Sequence, residues 1–292
     1  MSIFSVILPT FNNKFEIINC LKSLNNQTFK DFEVIICVDG STDNTIEAIE
    51  IENFNFNYKI LQHPDKQNHG RPSTRNLGIF NAQTEYTLLL DSDNEADVNL
   101  LFEHYKILSK HECISVGDII YKQSDDWSNY LYARGKGKYK HLDEIPFQYL
   151  NTQNVAIKTQ YLKEVGGLDA NITGYGGDDT ELSYRLYKRF NLPTIYNKKA
   201  LANGSLNKTF NKALNQMYEF GNTSLKYIHK KHPNFTEIFN IKLIENKAIN
   251  IFLANPIFYY FINKTYSSFP LKIKNLLIHY MVFYKICKGY NG

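Results

Sequence analysis

Short apolar runs alternate with helix-spaced segments along the early part of this 292-residue chain, and that alternation restricts its fold more than any other feature. Phe4 to Leu8 is followed by Phe15, Ile18, Leu21 and Leu24 at helical spacing, then by the run Val34 to Val38. Ile46 and Ile49 continue the pattern, Tyr58 to Leu61 forms a third run, and a helix over about Ser73 to Asn81 leads into Leu88, Leu89 and Leu90. Continuous apolar runs of this length suit strands buried on both faces, and their alternation with helices implies βαβ units in a mostly parallel sheet. Right-handed crossovers bring the carboxyl ends of such strands to one edge, where the ligands of open α/β sheets collect. The expected fold class is therefore α/β, a Rossmann-like sheet flanked by helices.

Composition narrows the classes that remain. With 33 Lys and Arg against 29 Asp and Glu the net charge is only +4, so no dedicated nucleic-acid surface is indicated. The four cysteines, Cys20, Cys37, Cys113 and Cys287, are widely spaced; they read as buried thiols of a reducing compartment, with neither metal-type pairing nor a disulfide framework. A strand-like segment begins at Ile3 without a basic region and apolar core before it, so no signal peptide is apparent, and no apolar stretch reaches the roughly 20 residues that span a bilayer. The chain is expected to be cytoplasmic, soluble or at most attached to the inner face of a membrane.

The period becomes less regular between about residues 110 and 205, with Gly-rich turns at Gly166-Gly167 and Gly174 to Gly177, and reads as an extension of the sheet plus loops. From about Asn207 the pattern changes to long aromatic and Lys-rich helices punctuated by Pro233, Pro256 and Pro270. The expected division is 1–205 for the α/β domain and 206–292 for a helical appendage.

Four loops at the ends of these strands carry the chemistry. The apolar run Leu88 to Leu90 ends in Asp91-Ser92-Asp93, two carboxylates that repel each other unless a cation or sugar hydroxyls compensate, and Mg2+, Mn2+ and Ca2+ prefer such oxygen ligands. Pro9-Thr10-Phe11 and Asp39-Gly40-Ser41-Thr42-Asp43 follow the first two strands, where Asp39 could accept from a base N–H and Phe11 could stack on the base. Ser41, Thr42 and Asp43 are equally suited to cap a helix starting near Thr42. In Arg71-Pro72-Ser73-Thr74-Arg75-Asn76 the planar guanidinium of either arginine could meet a base or phosphate, Arg71 more so because it precedes the helix. The last loop, Gly174-Tyr175-Gly176-Gly177-Asp178-Asp179-Thr180-Glu181, delivers adjacent acids to a helix N-terminus, as a positioned general base requires.

Taken together, SVILPTFNN, VDGSTD, GRPSTRN, LLLDSD and GGLDANITGYGGDDTELSYRL resemble the family 2 glycosyltransferases of GT-A fold over roughly residues 3 to 205. The resemblance implies inverting, hexosyltransferase-type transfer from a nucleotide-diphosphate sugar, usually UDP-linked, with Mn2+ or Mg2+. It implies donor contacts from Pro9, Thr10, Phe11, Asp39, Ser41, Arg71, Asn76, Asp91 and Ser92, with Asp91 near the ribose. Metal would fall to Asp93, and acceptor contacts to Tyr175, Gly177 and Asp178. Asp179 takes the place of the base that deprotonates the acceptor hydroxyl. Two departures stand out: Asp178 replaces the usual Glu, and Asn203 stands where many relatives supply a metal-binding His.

The acceptor implied is a glycan or lipid-linked hydroxyl in the synthesis of a surface polysaccharide. A non-catalytic GT-A module that only holds a nucleotide or glycan is the alternative, and the joint presence of Asp39, Asp91, Asp93 and Asp179 speaks against it. A sugar-1-phosphate nucleotidyltransferase would need a Gly-rich loop carrying Arg after the first strand, which PTFNN is not. Beyond Glu245 the chain has no acid but carries Lys247, Lys264, Lys272, Lys274, Lys285 and Lys288 among Ile257, Phe258, Tyr259, Tyr260, Phe261, Leu276, Leu277, Tyr280, Phe283, Tyr284 and Ile286. Two readings fit that composition: helices in an anionic membrane interface, or helices packing an apolar face on the catalytic domain with Lys outside.

Overall fold

A computed structural model of the chain describes residues 2–121, 125–204, 209–246, 248, 250–251 and 254–292. Lys247 and the boundary between residues 205 and 206 lie outside these. By contact density the chain forms two compact units, one made of Met1–Gln123, Tyr139–Ala170 and Asp178–Ser205, the other of Ser124–Lys138, Asn171–Gly177 and Leu206–Gly292.

The first unit is built on a sheet whose strands, among the described residues, are β1 (Phe4–Thr10), β2 (Phe32–Val38), β3 (Asn57–Gln62), β4 (Tyr86–Leu90), β5 (Asn94–Ala96), β6 (Ile114–Tyr121), β7 (Asn154–Lys158) and β8 (Thr194–Gly204). Their order is β3-β2-β1-β4-β7-β6-β8-β5. The alternating half of the sequence forms the parallel part, with β1 paired to both β2 and β4 and β2 to β3. The less regular half forms the rest: β7 runs antiparallel between β4 and β6, β8 parallel to β6, and β5 antiparallel to β8. The sheet is thus mixed, with parallel pairings in a narrow majority.

Helices α1 (Lys14–Asn25), α2 (Thr45–Ile51), α3 (Arg71–Asn81), α4 (Leu100–Leu108), α6 (Thr159–Glu164) and α7 (Asp178–Phe190) belong to this unit. In α1 the buried stripe is Ile17, Cys20, Leu21 and Leu24, while Phe15, expected in the stripe, is 75 % exposed. The reason is geometric: Ile17, Leu21 and Leu24 are four and three residues apart on one helical face, which Phe15 does not share. Each such aliphatic side chain taken from water contributes roughly 1.5–3 kcal/mol. Helix α2 starts at Thr45, after Asn44 in a left-handed conformation, rather than near Thr42.

Two apolar layers cover the sheet. One gathers Val6, Leu8, Val34, Ile36, Leu88 and Leu90 with α1 and α4; the other gathers Ile7, Ile35, Leu89, Val155 and Ile157 with Ile79 of α3 and Leu182 and Leu186 of α7. Alternate residues of one strand face opposite layers, as the pleat requires. All four cysteines are buried free thiols.

The second unit is helical: α5 (Asp126–Arg134), α8 (Phe210–Asn222), α9 (Ser224–Lys231), α10 (Ile241–Glu245), α11 (Pro256–Thr265) and α12 (Leu271–Asn291). Trp127 and Tyr130 of α5 join Ala213, Leu214, Ile278, Met281 and Val282 in its core, which is why α5 groups with the C-terminal helices rather than with its sequence neighbours. Among the described residues no helix is long and apolar enough to cross a membrane.

Helix α3 lies close on the sheet because Gly78 faces it. A Cβ there would stand 2.5 Å from Ile7 Cγ2 and 3.0 Å from Cys37 Sγ. We expect Gly78→Ala to push α3 outward and cost about 1–3 kcal/mol, the usual penalty of overpacking; urea unfolding reads this directly, and an unchanged midpoint would mean that α3 has slack.

Candidate active site

The loops beyond β1, β2 and β3 are tied to one another by their own polar groups. Asn12 N–H donates to Ser41 Oγ at 3.0 Å, and Asn12 Oδ1 accepts from Thr42 N–H at 2.8 Å. Lys14 N–H donates to Asp43 Oδ2 at 3.0 Å. Ser41 and Asp43 therefore work as loop fasteners, and Asp43 does not cap α2 as a conventional N-cap. Asp39, only 4 % exposed, accepts from His69 N–H at 2.8 Å through one carboxylate oxygen and from Gly70 N–H at 3.0 Å through the other. The expected base-binding acid thus holds the start of α3, with its remaining lone pairs left for a ligand. Gly40 makes this approach possible: its φ is +72°, and a Cβ there would fall 2.8 Å from Asn68 N.

Thr10 closes β1 as a buried residue and hydrogen-bonds Asn13 Oδ1, while Asn13 Nδ2 donates to Ser92 Oγ at 2.8 Å. Pro9 is buried inside β1, and Phe11, two residues on, is 49 % exposed. The Asn13 contacts join the ends of β1 and β4 and bring Thr10 and Ser92 together.

The two arginines of this segment divide by burial. Arg71 begins α3 and is exposed, whereas Arg75 is buried to 2 % exposure. Its Nη2 donates to Asp91 Oδ1 at 2.5 Å, and its Nη1 stands 3.5 Å from Asp178 Oδ2. The signal was in the spacing: Arg75, Gly78 and Ile79 share one helical face, and a cation on an apolar stripe needs buried partners. Asn76, expected to touch the donor, is spent elsewhere. Its Nδ2 donates to Leu168 O and its Oδ1 accepts from Leu168 N–H, both at 2.7 Å.

Arg185 of α7 grips the same turn from the other side, donating to Val165 O and, at 2.7 Å, to Gly167 O. It is held in turn by the wholly buried Glu181 at 2.7–2.9 Å. This brings the start of α7 to the end of β4. Asp179, partly buried in its first turn, has its pKa raised to about 7, chiefly by loss of solvation. The charge of Asp178 and a hydrogen bond that protonated Asp179 donates to its carboxylate raise it further, and Arg75 opposes both. A carboxylate poised near neutrality is suited to accept a proton.

Tyr175 and Gly177 belong to the helical unit. Tyr175 N–H donates to Glu219 Oε1 at 3.2 Å, and Ser224 Oγ donates to Tyr175 O at 3.3 Å. A Cβ on Gly177, whose φ is +89°, would fall 2.6 Å from Ile228 Cδ1.

Asp93 is exposed just beyond β4, and Asn203 of β8 pairs directly with Glu95 of β5. Glu95 was missed by sequence reasoning, because only the β5–β8 pairing reveals that it faces Asn203. The oxygen donors Asp93, Glu95 and Asn203 fit a hard divalent cation by chemistry. Among the described residues no three His, Cys, Asp or Glu side chains form a complete cage for one.

Comparison with known proteins completes this picture. The sequence model described as Glycosyl transferase family 2 matches residues 5–165, which spans the loops around Thr10, Asp39, Arg75 and Asp91 and stops before Asp178. The chain is 27 % identical over 222 residues to a chondroitin synthase of Escherichia coli, covering 63 % of this chain and 32 % of that one. Among solved structures it resembles Staphylococcus aureus TarS 1–349 in complex with UDP-GlcNAc (TM-score 0.60, 20 % identity, 99 % of this chain and 89 % of that one). It also resembles the mannosyltransferase PcManGT of Pyrobaculum calidifontis in complex with GDP-Man and Mn2+ (TM-score 0.63, 16 % identity, 99 % and 85 %). At these identities the structures establish the fold, which is GT-A as expected. The chain spans only 19 % to 60 % of the length of the first curated relatives it matches.

Proposed function

The chain belongs to glycosyl transferase family 2, and on that premise we propose that it is an inverting glycosyltransferase. It moves a sugar from a nucleotide-diphosphate donor, UDP-linked, to a hydroxyl of a glycan or lipid-linked acceptor in surface polysaccharide synthesis. The observation that carries this reading is the Asp179 carboxyl, poised near pH 7 at the first turn of α7 and joined through Asp178 and Arg75 to Asp91 at the end of β4. A UDP donor is supported by the ligand of the TarS complex.

In this mechanism the loops around Thr10, Phe11, Asp39 and Ser41 hold the nucleoside, with Phe11 exposed for stacking and Arg71 exposed for the base or phosphates. Asp91 orients the ribose while anchored by Arg75. Asp179 takes the acceptor proton as the hydroxyl attacks the anomeric carbon from the face opposite the leaving group, which inverts configuration. Asp93 and Asn203, with Glu95 nearby, would hold a divalent cation, which would supply Lewis-acid stabilisation of the departing diphosphate.

Asp179 must be ionised to act. Its raised pKa therefore places the acid limb of turnover near pH 7, with activity lost as pH falls through that value. Asp179→Asn is expected to lower transfer by about 100- to 10,000-fold and to leave UDP affinity unchanged in calorimetric titration; undiminished turnover would remove Asp179 from this role. For the metal, nucleotide release from a panel of nucleotide sugars should require Mn2+ or Mg2+ and be abolished in Asp93→Ala. Metal-independent release would refute the cation's place, and no release from any donor would favour a binding module.

Part of the apolar surface of the C-terminal helices is buried within the helical unit, and part is exposed. Ile278, Met281 and Val282 are buried, and Tyr259 stacks on Tyr284 at 4.2 Å. Ile257, Phe258, Tyr260 and Phe261 of α11 and Leu271 and Leu276 of α12 are more than half exposed. That unburied apolar surface, beside Lys264 and Lys272, supports peripheral contact with an anionic membrane. Flotation with phosphatidylglycerol liposomes should carry the protein up and fail for Phe258→Glu/Phe261→Glu; equal behaviour of the two proteins would refute the contact.

A further inference from the structure

The arginine that the donor and acceptor sides share has geometry beyond that of a simple ion pair. One guanidinium reaches Asp91 at 2.5 Å through Nη2 and Asp178 at 3.5 Å through Nη1. It does so with a side chain only 2 % exposed, from a helix pressed on the sheet at Gly78. Its Nε is buried with no hydrogen-bond partner among the described residues, so the fork is aimed by its two carboxylates and not by a third acceptor. A planar fork can serve two acids at once in fixed directions, which an ammonium cannot.

We propose that Arg75 is a positioning residue: it ties Asp91 at the end of β4 to Asp178 in the first turn of α7 and so fixes where the Asp179 carboxyl stands. Two charged groups act on Asp179: Asp178 stands beside it on α7 and Arg75 comes from α3, itself paired with Asp91. Further along the helix, Glu181 is closed off by Arg185. Because Arg75 faces Asp178 directly, the carboxyl left to accept the acceptor's proton is Asp179 and not its neighbour. The same link makes any displacement of Asp91 felt at α7.

This inference rests on the proposed role of Asp179 and is tested without substrate. In the whole chain carrying 13C-labelled aspartate, the Asp179 carboxyl signal is assigned by its loss in Asp179→Asn and titrated in each variant. Removing the cation in Arg75→Gln should move the Asp179 midpoint up by about one pH unit or more, and removing the like charge in Asp178→Asn should move it down by a similar amount. Arg75→Lys, which keeps a charge but cannot bridge both acids, should shift it upward by less than Arg75→Gln. Thermal melting of each variant reports whether it is folded. A folded Arg75→Gln protein with an unmoved midpoint overturns the proposal. If that variant does not fold, Asp178→Asn and Arg75→Lys decide: midpoints equal to the parent in both overturn it, and opposite shifts support it. Full turnover in Asp179→Asn would instead overturn the base assignment while leaving these midpoints interpretable.

Discussion

A cation buried between two acids organises the catalytic unit. Desolvating the Arg75 guanidinium is tolerable only because Asp91 and Asp178 both face it, and removing one partner of such a buried pair typically costs about 3–5 kcal/mol. Those two acids sit at the ends of elements far apart in sequence, so their pairing with one side chain requires β4, α3 and α7 to take up their places together. The turn at Val165 to Leu168 strengthens the same arrangement, since Asn76 of α3 and Arg185 of α7 both hold its backbone. Folding and site assembly are in this sense one event.

Where periodicity was local, the fold was legible. The runs around Val6, Val34, Ile60 and Leu88 became neighbouring parallel strands: β1, β2 and β4 are buried on both faces, and a helix leads from each of β1, β2 and β3 to the strand after it. The antiparallel β7, the β6–β8 pair and the short β5 were not legible as such, since their register depends on partners distant in sequence and includes an irregularity between Gly117 and Asp118. For the same reason Glu95 and Asn203 could not be placed opposite each other in advance.

Individual residues show a second limit. Asp39 and Asn76 have the right types for ligand contacts, yet their polar atoms meet backbone groups at Gly70 and Leu168; residue type cannot distinguish a fastener from a binder. Arg75 was readable in principle, from its place on the apolar stripe with Gly78 and Ile79, but a helix start and a helix face compete for attention when both carry arginine. In α12 composition alone did not separate Ile278, Met281 and Val282, which are buried in the helical core, from Leu271 and Leu276, which are exposed.

The fastened loops have a further consequence. Asn12 with Ser41 and Thr42, Lys14 with Asp43, Asp39 with His69 and Gly70, and Asn13 with Ser92 leave little backbone freedom in the segments that end β1, β2 and β4. Ordering a residue's backbone costs about 1–2 kcal/mol of entropy, and here folding has already met that cost before any ligand arrives. Association at this edge is therefore preorganised, so its affinity need not be spent on ordering these loops. Its selectivity then follows from the fixed placement of these loops rather than from adaptation to the guest.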